Sequence, residues 1–521
     1  MASPLLIPFL TLLATFVIAT TTLTLITKLF STKHPRHRPP PGPRRLPIIG
    51  NLHQLVSALP HRRLRDLAHK HGPDVMHLQL GELSHIVISS AEAAREVMKT
   101  HDVVFASRPS ILGADIVVYA GKDLAFTPYN DFYRKLRKTC VVELLGAHRV
   151  RSFRPIREKE AAALVDSLSR SAAKGETVDV GKALFQLTSR ATRGSAFGKL
   201  AGDVDGEVFF KMVERIADVL GGFRVSDLFP SLTWLPVVTG FKSQLMEIHR
   251  ELDRMLDEMI SEYKERRAAA FAAAGKGVGG GVVETEDLLD VLLNLNESQS
   301  LDFSLTLENV KAVTLEIFLA GVETSATAMD WTMAELVRDP RVMRIAQEEV
   351  RRVYRGKHVV DESSVYELEY LDMVIQESLR LHPPLPLLLP RESTEQVQVM
   401  GYDIPPKTKV IVNGWAIGRD PRYWGADAEK FYPERFLKST SNYKGTDHFD
   451  FIPFGAGRRM CPGILYGTSV VKLTLANLLF HFDWKLPDGS KPEDLDMTER
   501  FGSSARRECN LCLIPVAYDA M

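Results

Sequence analysis

Cysteine is scarce in this chain and neither sign of charge dominates. Its 521 residues include four cysteines, at 140, 461, 509 and 512, too few and too unevenly spread to staple a secreted protein of this size. The folded body is therefore expected in a reducing compartment. Cys509 and Cys512 have C-x-x-C spacing, but no second pair could complete a zinc site and no strand-to-helix context supports redox chemistry. A core strand pair is the expectation. Basic residues number 65 and acidic residues 65, so nothing draws the chain as a whole to nucleic acid, and no nucleic-acid partner is expected. Linkers that would divide the chain are also few, which points to one large body.

No charged side chain occurs before Lys28. As a helix, Leu5 to Phe30 would span about 39 Å at about 1.5 Å per residue, enough to cross a bilayer with tilt. Seven threonines dilute the run, although their hydroxyls can bond back to helix carbonyls. The run lacks a basic leader and a clear small-residue cleavage site and exceeds the length of a signal-peptide core, so residues 1–30 are read as an uncleaved anchor. Lys28, Lys33, Arg36 and Arg38 follow it, which places everything after the anchor in the cytosol. Residues 31–58 form a basic, proline-rich hinge: Pro39-Pro40-Pro41-Gly42-Pro43 favours an extended, semi-rigid connector. Residues 59–521 then form one large folded domain.

From about residue 60 to 380 the apolar spacing is mostly that of amphipathic helices, interrupted by short β-type runs at Val75–Leu80 and Ile86–Ser89. The fold class is mainly α with a minor β-sheet. Gly275 to Gly280 fits G-x-G-x-x-G, but an alanine-rich helix precedes it and acidic residues follow. A nucleotide site needs a buried strand before and a helix after, so this is a solvated loop, and nicotinamide electrons would have to arrive through another protein.

The strongest signal is Phe454-Gly455-Ala456-Gly457-Arg458-Arg459-Met460-Cys461-Pro462-Gly463, just before an apolar segment from Ile464 to Phe482. Glycines let the backbone fold tightly under a flat ligand, and proline suits a first helical turn. Cys461 would lie at a helix N-terminus, where unpaired amides lower a thiol's pKa toward the thiolate that a metal requires. The segment fits F-x-x-G-x-R-x-C-x-G and resembles the haem-binding loop of cytochromes P-450. The resemblance implies haem b with Cys461 as axial iron ligand, Arg459 as a propionate partner, and Phe454 and Gly455 against the cofactor. It also implies that the thiolate's electron density favours O–O cleavage.

Other segments extend the resemblance. Glu377 and Arg380 share a face of the helix Leu371–Leu381 and resemble the family's E-x-x-R pair, which Arg435 of Pro433-Glu434-Arg435-Phe436 would complete as a buried network. On the helix from Leu307 to Arg338, Val313, Ile317, Ala320, Thr324, Ala328 and Trp331 share a face. Mid-helix Gly321 costs about 1 kcal/mol relative to alanine, which invites a reason such as close approach of a ligand. Ala320-Gly321-Val322-Glu323-Thr324-Ser325 matches the distal motif, making Glu323 and Thr324 the implied catalytic pair. Tyr129 to Lys138 resembles the W-R-x-x-R helix, with Arg137 as a propionate ligand and Tyr133 in place of the usual tryptophan. Arg391 occupies a further propionate position. Arg134, Lys135 and Lys138 form a basic cluster on which an acidic reductase domain could dock.

Asp227-Leu228-Phe229-Pro230 and Asp287 to Leu293 resemble plant microsomal members. The implied activity is an NADPH- and O₂-dependent monooxygenation of a small lipophilic metabolite such as a terpenoid, indole or phenolic, at the endoplasmic reticulum membrane, with electrons from a separate NADPH-cytochrome reductase. Pocket segments by family position are Ile111–Val118, Ala320–Thr324, Leu385–Leu389 and Phe501–Ser504. A haem-thiolate isomerase or dehydratase would need neither a reductase nor the acid–alcohol pair, and a non-enzymatic haem carrier would tolerate loss of both.

Overall fold

The computed structural model describes residues 38–55, 59–198, 212–213, 215–216, 218–220, 224–274, 286–437 and 448–518. The expected anchor at 1–30, the first part of the hinge and the Gly275–Gly280 loop lie outside the described residues.

Helices build the body, as the apolar spacing requires. The longest that reach the site are α1 (Asp131–Thr139), α2 (Val180–Phe197), α3 (Leu307–Arg338), α4 (Glu369–Leu381) and α5 (Ile464–His481). Thr306 starts α3 with a capping box: its hydroxyl accepts the Asn309 amide while the Asn309 side chain accepts the Thr306 amide. Asp339 and its following proline stop that helix after Arg338. Among the described residues α3 and α5 are apolar and long enough to cross a membrane, but both lie mostly buried inside the body. They are its core. Ser325 on α3 lies where a side-chain carbon on Gly467 of α5 would stand 3.7 Å from its Oγ, which fixes the two helices close together.

The sheet component is small. Strands β1 (Val75–Leu80), β2 (Leu83–Ile88), β3 (Arg391–Glu392) and β4 (Lys409–Val412) form one sheet in the order β1-β2-β4-β3. β1 and β2 are antiparallel with Val75 opposite Ile88, and β2 runs parallel to β4 with His85 opposite Lys409. Near the C-terminus β5 (Glu499–Phe501) and β6 (Ala505–Arg507) make an antiparallel hairpin. The Trp331 indole of α3 donates to the Ala505 carbonyl at 2.9 Å, and the Ala505 amide donates to Pro384 at 2.8 Å. These bonds tie the hairpin to α3 and to the segment after α4.

The described part of the hinge, from Arg38 onward, is not a free linker: it is strapped to the body. Pro41 accepts the His77 amide of β1 at 2.8 Å, and a side-chain carbon at Gly42 would meet the His77 carbonyl at 2.1 Å. Only glycine allows that approach. Cys509 and Cys512 are not a core pair either: Cys509 is exposed with its thiol donating to Asp496 at 3.1 Å, and Cys512 is only half-buried. The strand Cys512–Ala517 begins after the turn that carries Cys509, and it is Leu511 and Leu513, flanking Cys512, that enter the core.

Candidate active site

The cysteine loop folds as its glycines demand. Gly455 and Gly457 have φ of 67° and 68°, and at Gly457 a side-chain carbon would meet the Met98 carbonyl at 2.2 Å. No other residue fits there. The Cys461 amide donates to the Phe454 carbonyl at 2.9 Å, closing the loop on itself. Helix α5 begins at Ile464 with Gly463 as its cap, so Pro462 precedes the helix instead of opening its first turn. The Cys461 side chain is left uncovered by the protein around it, although burial of the loop is the main influence on its thiol. Burial pushes the thiol up from its ordinary range, while the Gly463 amide and Arg137 act in the opposite direction. The expected helix-terminus effect is present and outweighed. A coordinating cation is what makes such a thiol a thiolate.

Arginines converge around this loop. Arg459 is buried and gives its guanidinium to three carbonyls: Ala106 at 2.6 Å, Leu124 at 3.1 Å and Thr127. Arg391, expected at a propionate position, is buried, donating to Ala456 at 2.8 Å and Asp102 at 3.3 Å. Arg137 donates to Met460 at 2.6 Å. The sequence reading missed a fourth, Arg108, buried and bonded to Ala125 at 2.9 Å, Leu389 at 2.9 Å and Pro390 at 2.7 Å. Burial, with repulsion among these cations, pushes Arg108, Arg391 and Arg459 below the usual guanidinium range, Arg459 to about 10. Among the described residues only Asp102 ion-pairs with any of the four. Such a surplus of buried positive charge fits a ligand carrying carboxylates. The Tyr133 hydroxyl donates to the Arg458 carbonyl at 2.9 Å, so the phenol that replaces tryptophan braces the loop itself.

Behind the loop, Glu377 and Arg380 are fully buried and joined by bonds of 2.7 and 2.8 Å, and Arg435 reaches Glu377 at 2.9 Å. The expected network is there. Arg380 also donates to Gly418 and Ala428, both at 2.6 Å, so no charge is left unpaired.

On α3, Ala320 is exposed and Thr324 half-exposed within a helix whose neighbours are mostly buried. The Thr324 hydroxyl donates to the Ala320 carbonyl at 2.6 Å, leaving its oxygen free to accept. The close approach at Gly321 is made by Thr192 of α2, from which a side-chain carbon there would stand 3.1 Å. Glu323 is buried and faces the β5–β6 hairpin, where Ser503, Ser504 and Arg506 bind its carboxylate. A cavity of about 150 Å³ lies nearby, lined by Ile111, Leu385–Pro390 and Phe501–Ser503, with His85 and Lys409 at its edge. Three of the four expected pocket segments meet there.

A family model described as "Cytochrome P450" matches residues 40–510. This chain belongs to the cytochrome P450 family. It is 47% identical over 477 residues to desmethyl-deoxy-podophyllotoxin synthase of Sinopodophyllum hexandrum, covering 91% of each chain. Premnaspirodiene oxygenase of Hyoscyamus muticus is 46% identical, with 92% of this chain and 93% of that one covered. For 5-epiaristolochene 1,3-dihydroxylase of Nicotiana tabacum the figures are again 46%, 92% and 93%. A zebra fish cytochrome P450 solved with progesterone superposes with a TM-score of 0.73 at 25% identity, over 89% of this chain and 100% of that one. The protein is thus a P450 monooxygenase of a kind found in plant specialised metabolism, and haem-thiolate iron is its cofactor. The cysteine loop and the buried arginines are the features of this chain that fit that group.

Proposed function

We propose that this P450 hydroxylates, or otherwise mono-oxygenates, a small lipophilic plant metabolite of the terpenoid or phenolic class, using NADPH electrons delivered by a separate reductase. The carrying observation is the glycine-shaped loop that presents Cys461, with Arg459 within it and Arg137 and Arg391 bonded to it, ahead of a helix that Gly467 and Ser325 bring against α3. Relatives named as a terpene oxygenase and a terpene dihydroxylase support the substrate class.

In this reading Cys461 Sγ is the iron ligand, and Arg137, Arg391, Arg459 and Arg108 hold the haem propionates, with Phe454 and Gly455 lining the cofactor. When bound, the haem supplies dioxygen activation. Thr324 Oγ accepts from and orders water, and Glu323 exchanges protons through its carboxylate oxygens. The apolar Leu385–Leu389 wall excludes water and selects lipophilic substrates.

Residues 1–30 anchor the protein in the endoplasmic reticulum membrane, with residues 59–521 as the cytosolic catalytic domain. Exposed Ile48, Ile49, Trp234, Val237 and Val238 support this placement. They flank one surface: the Gly81 amide bonds to Ile49, and Gly81 packs under Leu228 and Phe229. Of the proposed reductase cluster, Arg134 pairs with Asp131 at 2.8 Å and Lys135 with Asp302 at 3.2 Å. These pairs weaken the attraction that the sequence suggested for the cluster, although exposed pairs bind loosely.

The test uses the full chain in vesicles with a P450 reductase, NADPH and ¹⁸O₂, offered a panel of sesquiterpene hydrocarbons and phenolics. Products carrying one labelled oxygen, formed only with NADPH, are expected. Turnover without NADPH or O₂ would instead indicate a haem-thiolate isomerase.

A further inference from the structure

Glu323 is fully engaged, and by residues far from it in sequence. Its Oε1 accepts from Ser503 Oγ at 2.7 Å, Ser504 Oγ at 2.5 Å, and Arg506 Nε at 3.2 Å with a second guanidinium nitrogen at 2.9 Å. Its Oε2 accepts from Ser503 Oγ at 2.8 Å. The Ser503 hydroxyl is shared between the two oxygens, and the Arg506 guanidinium supplies the contacts that can only donate. Three donors on one four-residue turn, all aimed at one buried side chain, exceed what a stray surface pair provides.

The hairpin that holds the donors is itself rigidly placed. Ala505 bonds to both Trp331 and Pro384, so Arg506 cannot drift away without breaking the hairpin's anchors. Phe185 of α2 lies under the Arg506 guanidinium at 5.7 Å from the ring centre. Ser504 also contacts Thr327 one turn further along α3, at 3.3 Å. The other titratable groups around the pair are Asp330 on α3, Arg507 on β6 and Asp179, which face one another beyond Arg506. Ser503 has a second position to fill, because it lines the cavity together with Phe501 and Gly502.

We propose that Arg506, assisted by Ser503 and Ser504, is the positioning residue that aims Glu323 and sets its proton affinity. This rests on the reading of Glu323 as a proton carrier, and it specifies what that reading leaves open: which groups hold its carboxyl between α3 and the hairpin. Removing the guanidinium takes away the one full positive charge in contact with Glu323, so its proton should be held more tightly. Removing the serine hydroxyls withdraws hydrogen bonds to the charged form and acts in the same direction to a smaller extent.

Infrared difference spectra of the haem-loaded full chain in vesicles, recorded across pH, test this independently of turnover. The band that disappears in Glu323→Gln identifies the protonated Glu323 carboxyl. In Arg506→Gln the midpoint of that band should move to higher pH by about one unit or more, a tenfold gain in proton affinity. Arg506→Lys should recover most of the shift, which loss of packing alone would not do. The double variant Ser503→Ala, Ser504→Ala keeps the ion pair and remains informative if Arg506→Gln does not take up haem; it should move the midpoint upward by less. Coincident midpoints in the variants and the unaltered protein would overturn the proposal. Glu323→Gln turnover is measured separately. Unchanged turnover alongside shifted midpoints would remove the proton-carrier role and leave the clamp standing.

Discussion

The guanidinium carbon of Arg459 lies 3.7 Å from the centre of the Tyr133 ring. One helix thereby holds the cysteine loop in two ways, since the same tyrosine's hydroxyl bonds to the Arg458 carbonyl. Tyr133→Phe keeps the stacking and loses the hydrogen bond, for a cost of about 1 kcal/mol. Tyr133→Ala leaves a cavity beside a buried cation and should cost about 3–5 kcal/mol. Urea unfolding measures both, and haem retained per protein after gel filtration should fall clearly only in the alanine variant.

Gly321 and Thr192 form a steric pair. Alanine at 321 would gain about 1 kcal/mol of helix propensity but must push the buried Thr192 side chain aside by a few tenths of an ångström. Gly321→Ala should therefore be neutral or destabilising by itself. In a Thr192→Ala background the same change should become stabilising, a coupling of about 1 kcal/mol in a double-mutant cycle. Additive effects would show that the two helices do not meet there.

Much of this was legible before any coordinates. The cysteine loop, Glu377 with Arg380, and the boundaries of the Leu307–Arg338 helix each lie in one contiguous stretch, and their chemistry follows from local spacing. Arg108 and Arg506 were not legible as site residues, and Phe501–Ser504 was placed at the pocket without its bonds to Glu323, because the partners lie far off in the chain: Glu323 meets Arg506 across 183 residues. No periodicity encodes such a contact. Gly321 was misread for a related reason, since a helix glycine marks a close approach without saying what approaches.

Asp330 should make stability depend on pH. Its Oδ1 has no hydrogen-bond partner among the described residues, and burial raises the carboxyl to about 7. The folded state then holds the proton more tightly than the unfolded chain does. Stability contributed by the protonated form is complete below about pH 4 and is lost as pH rises toward 7. Asp330→Asn should remove this dependence, leaving the variant more stable by about 1–3 kcal/mol at pH 8 and similar to the unaltered protein at pH 4. Urea midpoints at the two pH values check the sign.

Thr324→Ala should leave haem uptake intact, because the lost bond to Ala320 is worth only about 1 kcal/mol. Its effect should fall on coupling. Without the hydroxyl to order water, proton supply in the cavity is misplaced, and acid–base assistance is typically worth about 10²–10⁴ in rate. NADPH consumption should continue while hydrogen peroxide replaces part of the product. Wild-type product per NADPH would reduce Thr324 to a packing residue.

The claim on which the rest depends is that Cys461 Sγ ligates the haem iron. The carbon monoxide difference spectrum of the reduced full-length protein measures it directly. The unaltered protein should show the thiolate-specific Soret band, and Cys461→Ala should lose it even if some haem remains bound. Persistence of that band in Cys461→Ala would contradict the assignment.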